Sequence, residues 1–174
     1  LWGNFKEELI ERPIYLEMID PLFTRKTATV LYGIRRGGKS SIVYLYVNRL
    51  IKEKKITVND SLFLNFEDPR LTNIKVNDLF KILEIYQKNL KTKDPIIILD
   101  EIQNISDWEN FVRYLIEAKK LRVFVTGSSS KLLSQEISTS MSGRHVNVEI
   151  FPLSFIEFLN FKGTKAVHKL ELMK

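Results

Sequence analysis

The sequence predicts an α/β protein built on a mostly parallel sheet with helices packed against it, and three observations carry that expectation. Apolar runs alternate with helix-period segments along 174 residues in the order β, α, β, α, the pattern of parallel strands joined by crossover helices. Ile96-Ile97-Ile98-Leu99 is a continuous, mostly β-branched apolar run, as expected of a strand buried on both faces. The run Ala28-Thr29-Val30-Leu31-Tyr32 feeds directly into Gly33-Ile34-Arg35-Arg36-Gly37-Gly38-Lys39-Ser40, a glycine loop in which a helix begins.

The elements follow in order. Strand one is expected over about 27–32. The helix after the loop, from Lys39 to about Lys54, is apolar almost all round (Ile42, Val43, Leu45, Tyr46, Val47, Leu50) and should be largely enclosed. Strand two spans about 61–66 and stops at Glu67-Asp68-Pro69. The next helix, about 78–90, places Leu79, Ile82, Leu83, Tyr86 and Leu90 on one face. Asp94-Pro95 turns the chain into strand three, 96–99. Ser106-Asp107-Trp108-Glu109 has the capping-box form S-x-x-E and opens a third helix with the face Trp108, Phe111, Val112, Leu115. Strand four is expected over 121–125, leading into Thr126-Gly127-Ser128. A short helix near 131–137 and a serine-rich loop precede strand five, about 146–150. Ser154-Phe155-Ile156-Glu157 is a second capping box, with Phe155, Phe158 and Leu159 on the apolar side of its helix.

Composition narrows the chemistry. The chain has no cysteine, which excludes disulfides, thiolate zinc sites and cysteine nucleophiles, and only His145 and His168, too few for a multi-histidine metal site. The apolar runs are too short to cross a bilayer and no secretory pattern opens the chain, so a cytoplasmic protein is the expectation. The chain opens at Leu1 rather than Met, as a portion of a longer protein would. The formal net charge of +6 is concentrated in three clusters: Lys52, Lys54 and Lys55; Lys88, Lys91 and Lys93; Lys119, Lys120 and Arg122. Each ends a helix, where cations oppose the macrodipole, and in a parallel sheet all three share the edge opposite the glycine loop. Dipole compensation accounts for them better than a nucleic-acid footprint, since no aromatic or glycine residues are interleaved.

The glycine loop reads G-x-x-x-x-G-K-S, the Walker A pattern. Successive backbone N–H groups of such a loop, with the helix N-terminus behind them, cradle phosphate. The expected nucleotide-binding residues are Gly33, Ile34, Arg35, Arg36, Gly37, Gly38, Lys39, Ser40 and Ser41. Lys39 has the reach for the β- and γ-phosphates, and the Ser40 hydroxyl suits Mg²⁺. Arg35 and Arg36 have two readings, as further phosphate contacts or as anchors of the loop to Glu67 and Asp68. The second half of the site is Asp100-Glu101, at the end of buried strand three. Asp100 is expected to hold Mg²⁺ with Ser40, in the manner of a Walker B acid, and Glu101 to take a proton from water attacking the γ-phosphate. From the end of strand four Ser128, and after it Thr126, is placed to bond the γ-phosphate or the water, or merely to cap the next helix.

These residues resemble a family. Arg12-Pro13-Ile14-Tyr15, the glycine loop, Leu99-Asp100-Glu101-Ile102-Gln103-Asn104, Trp108-Glu109, Thr126-Gly127-Ser128-Ser129-Ser130-Lys131-Leu132-Leu133, Gly143-Arg144 and Pro152-Leu153-Ser154-Phe155 look like archaeal and bacterial AAA+-like P-loop ATPases, of the type with a C-terminal domain of unknown function. The resemblance runs from about Glu11 to Phe161. It implies a P-loop NTPase three-layer sandwich with sheet order 5-1-4-3-2 and a core over residues 1–160. Residues 161–174 would begin a lid or a linker to a further domain, so the lid is expected to be truncated or absent. It implies ATP rather than GTP, consistent with the lack of an Asn-Lys-x-Asp motif, and Mg²⁺ as the metal. It also gives Arg144, just before strand five, two readings: an arginine finger reaching the nucleotide of an adjacent copy, or a surface arginine paired with Glu149 or Glu136. Asn65 would bond Glu101 and restrain it. Tyr15 and Ile14 either flank the adenine or pack in the core.

The function expected is an ATP-binding, Mg²⁺-dependent ATPase module, weak in isolation, with Lys39, Glu101, Ser128 and Arg144 as its catalytic set. Its partners would be an adenine nucleotide and a second copy through Arg144, with nucleic acid less supported and no membrane. Two alternatives stay open: a slow nucleotide-dependent interaction switch (STAND-like), and a nucleic-acid-stimulated motor. A P-loop kinase fits less well, since the acidic doublet matches water activation.

Overall fold

The computed structural model describes residues 9–23, 27–90, 92, 94–128, 132 and 141–162. Five strands form one sheet: β1 (Ala28–Gly33), β2 (Ser61–Asn65), β3 (Ile96–Asp100), β4 (Arg122–Ser128) and β5 (His145–Ile150), in the order β2-β3-β4-β1-β5. This is the expected order 5-1-4-3-2 read from the other edge. All four pairings are parallel. Five α-helices are described: α1 (Pro13–Ile19), α2 (Lys39–Lys52), α3 (Val76–Leu90), α4 (Trp108–Glu117) and α5 (Phe155–Phe161).

The layers follow from the order of travel. The chain moves outward from β1 to β2 through α2, then back through α3 and α4 to β3 and β4. Crossovers of one hand that move in opposite directions fall on opposite faces of the sheet. The core is accordingly double. Ile96, Ile98, Leu31 and Phe124 point to the face covered by α1 and α2, and Ile97, Leu99, Val30, Val123 and Val125 to the face covered by α3 and α4. Strict alternation along β3 thus buries every residue from Ile96 to Asp100. Helix α2 is enclosed as its composition requires, with Ile42, Val43, Tyr44, Tyr46, Val47 and Leu50 buried.

Several local expectations are corrected. Helix α3 starts at Val76, and of its expected face Leu79 and Leu83 are buried while Leu90 is exposed. Ser106 and Glu109 form no capping box: the N-cap of α4 is Asp107, in the left-handed region at φ 58° with no side-chain cap bond. Ile105 and Trp108 are both buried in the core, and seating them fixes this backbone turn ahead of any capping preference. The Ser154–Glu157 box does form, with both reciprocal bonds. Yet the face of α5 that reads as apolar is open, with Phe155 66% and Phe158 44% exposed. Ile14 is likewise exposed, whereas Tyr15 is buried. Of the helix expected near 131–137 only Leu132 is described, and most of 161–174 lies outside the described residues.

Candidate active site

The glycine loop sits at the carboxyl end of β1, between β4 and β5, where the register pairs Gly33 with Ser128 on one side and Ile150 on the other. The approach is tight. A Cβ at Gly33 would lie 2.2 Å from the Ile150 carbonyl oxygen, so only glycine lets β1 leave the sheet here. Gly38 is the N-cap of α2 at φ 91°, a left-handed conformation that glycine adopts without strain. Beyond it the first amides of α2 are unpaired donors at the positive end of the helix.

Lys39 is only 3% exposed. Its ammonium donates to the carbonyls of Ile34 (3.0 Å) and Gly33 (3.4 Å) and lies 3.6 Å from Glu101 Oε1. The charge is therefore held inside the loop. The Ser40 hydroxyl donates to Asp100 Oδ1 at 2.6 Å, and Thr126 Oγ1 donates to the same oxygen. Thr126 in turn accepts the Glu101 backbone N–H at 3.1 Å. Burial pushes the Asp100 carboxyl above its ordinary range, and Glu101 adds to that. The Ser40 and Thr126 hydroxyls and the Lys39 charge oppose it. Glu101 sits in the left-handed region at φ 53°, a conformation that costs a non-glycine residue energy and clusters at functional sites.

A cavity of about 300 Å³ opens over this arrangement, lined by Arg35, Arg36, Gly38, Lys39, Ser40, Ser41, Glu67, Asp100 and Glu101. Loop, metal-type pair and Glu101 are thus brought together as the motifs anticipate. Arg35 takes the anchoring role, donating to Glu67 at 2.8 Å. Between the two strand-four hydroxyls it is Thr126, placed second from the sequence, that bonds the acidic pair; Ser128 ends β4 level with Gly33, and neither residue lines the cavity. Asn65 does not reach Glu101. Its Oδ1 accepts the Glu67 N–H at 2.8 Å, and the carboxylate receives Gln103 Nε2 instead. Arg144 stands at the other end of the molecule, just before β5, roughly 20 Å of strand away from the loop. There it pairs with Glu117 at the end of α4, not with Glu149, which accepts from Tyr32.

A second cavity of about 280 Å³ adjoins the first and shares Arg36, Gly38 and Ser41 with it. Its other walls are mainly apolar, among them Leu9, Ile10, Ile42, Pro152, Leu153 and Phe161. Its floor is Arg12, a buried residue that sequence reasoning quotes only as part of a motif. Arg12 is 4% exposed and forms a fork onto Glu157, with Nε 2.7 Å from Oε1 and Nη2 3.2 Å from Oε2. It also donates to the carbonyls of Phe151 (2.9 Å), Pro152 (3.3 Å) and Gly37 of the loop itself (3.3 Å), and lies over the Tyr15 ring. The pairing holds the Glu157 carboxyl below its ordinary range.

Among the described residues no cluster of three or more metal-ligating side chains exists. The Ser40–Asp100 oxygen pair nonetheless fits Mg²⁺, which takes one or two protein oxygens and completes its shell with water and phosphate. No helix of the described residues is long and apolar enough to cross a membrane.

Comparison with known proteins agrees with this geometry. The family model described as "AAA domain" matches residues 25–159. An uncharacterised protein of Methanocaldococcus jannaschii, MJ1544, is 39% identical over 175 residues, covering 97% of this chain and 36% of that protein. An uncharacterised Haemophilus influenzae protein is 33% identical, covering 93% of this chain and 40% of its own length. A second M. jannaschii protein, MJ1637, is 30% identical, covering 90% and 33%. The chain thus spans only a third to two fifths of these curated relatives. Among solved structures, the Saccharomyces cerevisiae Hsp104:casein complex in its extended conformation has a similar fold, with TM-score 0.62 and 15% identity over 90% of this chain and 29% of that one. S. cerevisiae RIF2 follows with TM-score 0.54 and 14% identity, over 90% and 62%.

Proposed function

This chain belongs to the AAA domain family, and from that premise we propose that it binds ATP with Mg²⁺ and hydrolyses it slowly, as one module of a longer protein. The observation that carries the reading is the convergence of Lys39, Ser40, Asp100 and Glu101 on one cavity at the mouth of the loop, with the buried Thr126 bonded to Asp100 behind it. The loop amides and Lys39 bind the phosphates, and Ser40 with Asp100 would hold Mg²⁺. When bound, the metal neutralises charge on the phosphate oxygens. Glu101 accepts the proton of the attacking water as its oxygen bonds the γ-phosphorus, and the bond to the β–γ bridging oxygen breaks to release ADP. The apolar second cavity suits a base, and adenine joined to phosphates in the first would cross the shared residues Arg36, Gly38 and Ser41.

The remaining roles are proposals of the same kind. Thr126 or Ser128 orients the γ-phosphate or the water. Arg144 lies at the sheet edge opposite its own loop, so any contact with nucleotide is made in a second copy. Residues 1–160 form the nucleotide-binding core, and 161–174 lead towards a lid or further domain. The link from Gly37 through Arg12 to Glu157 of α5 also favours a switch reading, in which loop occupancy is passed to whatever follows α5. A paired-variant assay tests the enzymatic assignment: Lys39→Ala should lose nucleotide binding, whereas Glu101→Gln should bind normally and lose turnover. Equal turnover in Glu101→Gln and the unmodified chain would remove Glu101 from the mechanism.

A further inference from the structure

The Gln103 side chain is divided between two environments. Its Nε2 donates to Glu101 Oε2 at 2.6 Å. Its Oε1 is buried and has no hydrogen-bond partner among the described residues. A bare amide oxygen in the interior is costly and demands a reason. Turning the amide over would give the oxygen no better partner, because it would then face an ionised carboxylate. The orientation is therefore imposed by Glu101.

The opposing wall is cut to the same shape. A Cβ at Gly127 of β4 would lie 2.1 Å from Gln103 Oε1, and 2.8 Å from the Leu132 side chain. Bare backbone at 127 is what admits the amide. Glu101 meanwhile has three restraints: Thr126 on its backbone N–H, Lys39 at 3.6 Å from Oε1, and Gln103 on Oε2. When Lys39 turns to a phosphate, Gln103 is the restraint left on the carboxylate.

We infer that Gln103 is a positioning residue that holds the Glu101 carboxylate aimed into the phosphate cavity, and that Gly127 is glycine to make room for it. The inference rests on the ATPase reading above. It assigns to the turn after β3 the restraint that Asn65 does not supply.

Gln103→Met keeps the length of the side chain and removes the donor. In single-turnover assays of the full chain with saturating ATP and Mg²⁺, it should slow hydrolysis by about tenfold or more. Nucleotide Kd should change by less than about threefold. Gly127→Ala should slow turnover likewise and lower Tm, and adding Gln103→Ala should recover part of that Tm by removing the crowding. A Gln103→Met rate within about twofold of the unmodified chain would overturn the role. So would a parallel loss of affinity and rate. Two controls separate the levels: an unmodified chain that does not turn over ATP fails the ATPase reading itself, whereas an inactive Glu101→Gln beside a normal Gln103→Met overturns Gln103 alone.

Discussion

The two cavities that flank the glycine loop are held by opposite means. The polar one is built from short, local motifs: Lys39 and Ser40 are neighbours on α2, Asp100 and Glu101 neighbours at the end of β3, and the parallel sheet brings the two pairs together. The apolar one is assembled around a single arginine that ties segments as far apart as 145 residues. In the first, many weak constraints share the work, so one lost group leaves the rest in place. In the second, a buried guanidinium carries the fork to Glu157, three carbonyls and the Tyr15 ring. The structural support of the site where chemistry is expected is shared among several groups; that of the joint beside it is not.

Variants can break that contrast. Arg12→Ala should be the most damaging to stability, because it strands a partly buried Glu157 and uncovers three carbonyls. Loss of one partner of such a pair costs about 3 kcal/mol, measurable by denaturant unfolding, and Arg12→Lys should recover little, since a lysine cannot make the two-pronged contact. Thr126→Val should cost less, about 1–2 kcal/mol, by leaving the Glu101 N–H and an Asp100 oxygen short of a partner. It should also slow turnover while nucleotide affinity holds. If Thr126→Val unfolds the chain as readily as Arg12→Ala, the contrast is wrong.

The smallest effect is a pH dependence. Arg12 lowers the folded-state pKa of Glu157, so this pair stabilises the fold fully above the ordinary glutamate value of 4.5. The contribution is lost as pH falls below that value and through the lowered one. Glu157→Gln should therefore flatten the acid side of the stability profile and leave its neutral-to-basic side parallel to that of the unmodified chain. An unchanged acid slope would show that the fork carries no such linkage.

The same contrast governs what the sequence makes legible. The alternation of strands and helices and the buried run of β3 follow from the residue pattern, and the Lys39–Ser40 and Asp100–Glu101 pairs are legible because each joins neighbours in the chain; the sheet order comes from the family resemblance instead. The choice of Thr126 over Ser128 turns on strand length. β4 continues to Ser128, so Thr126 is a strand residue facing Asp100 rather than the start of a loop. The cap of α4 fails as a local signal because Ile105 and Trp108 are buried on either side of it, and tertiary packing outweighs a capping bond. Asn65 is drawn to the Glu67 N–H two residues on, an Asx-type bond that strand-to-turn geometry favours. The exposed faces of Phe155 and Phe158 show the limit of reading amphipathicity: periodicity gives a face, not what covers it. Arg12 was hidden for a different reason, since nothing in a lone arginine announces partners more than a hundred residues away.

The measurement that reaches the central claim is an equilibrium titration of the folded chain with a labelled adenine nucleotide, with and without Mg²⁺. The geometry of residues 33–41 with Asp100 predicts saturable one-to-one binding that tightens when Mg²⁺ is added. A folded chain that takes up no nucleotide at saturating concentrations, with the metal present, would contradict it.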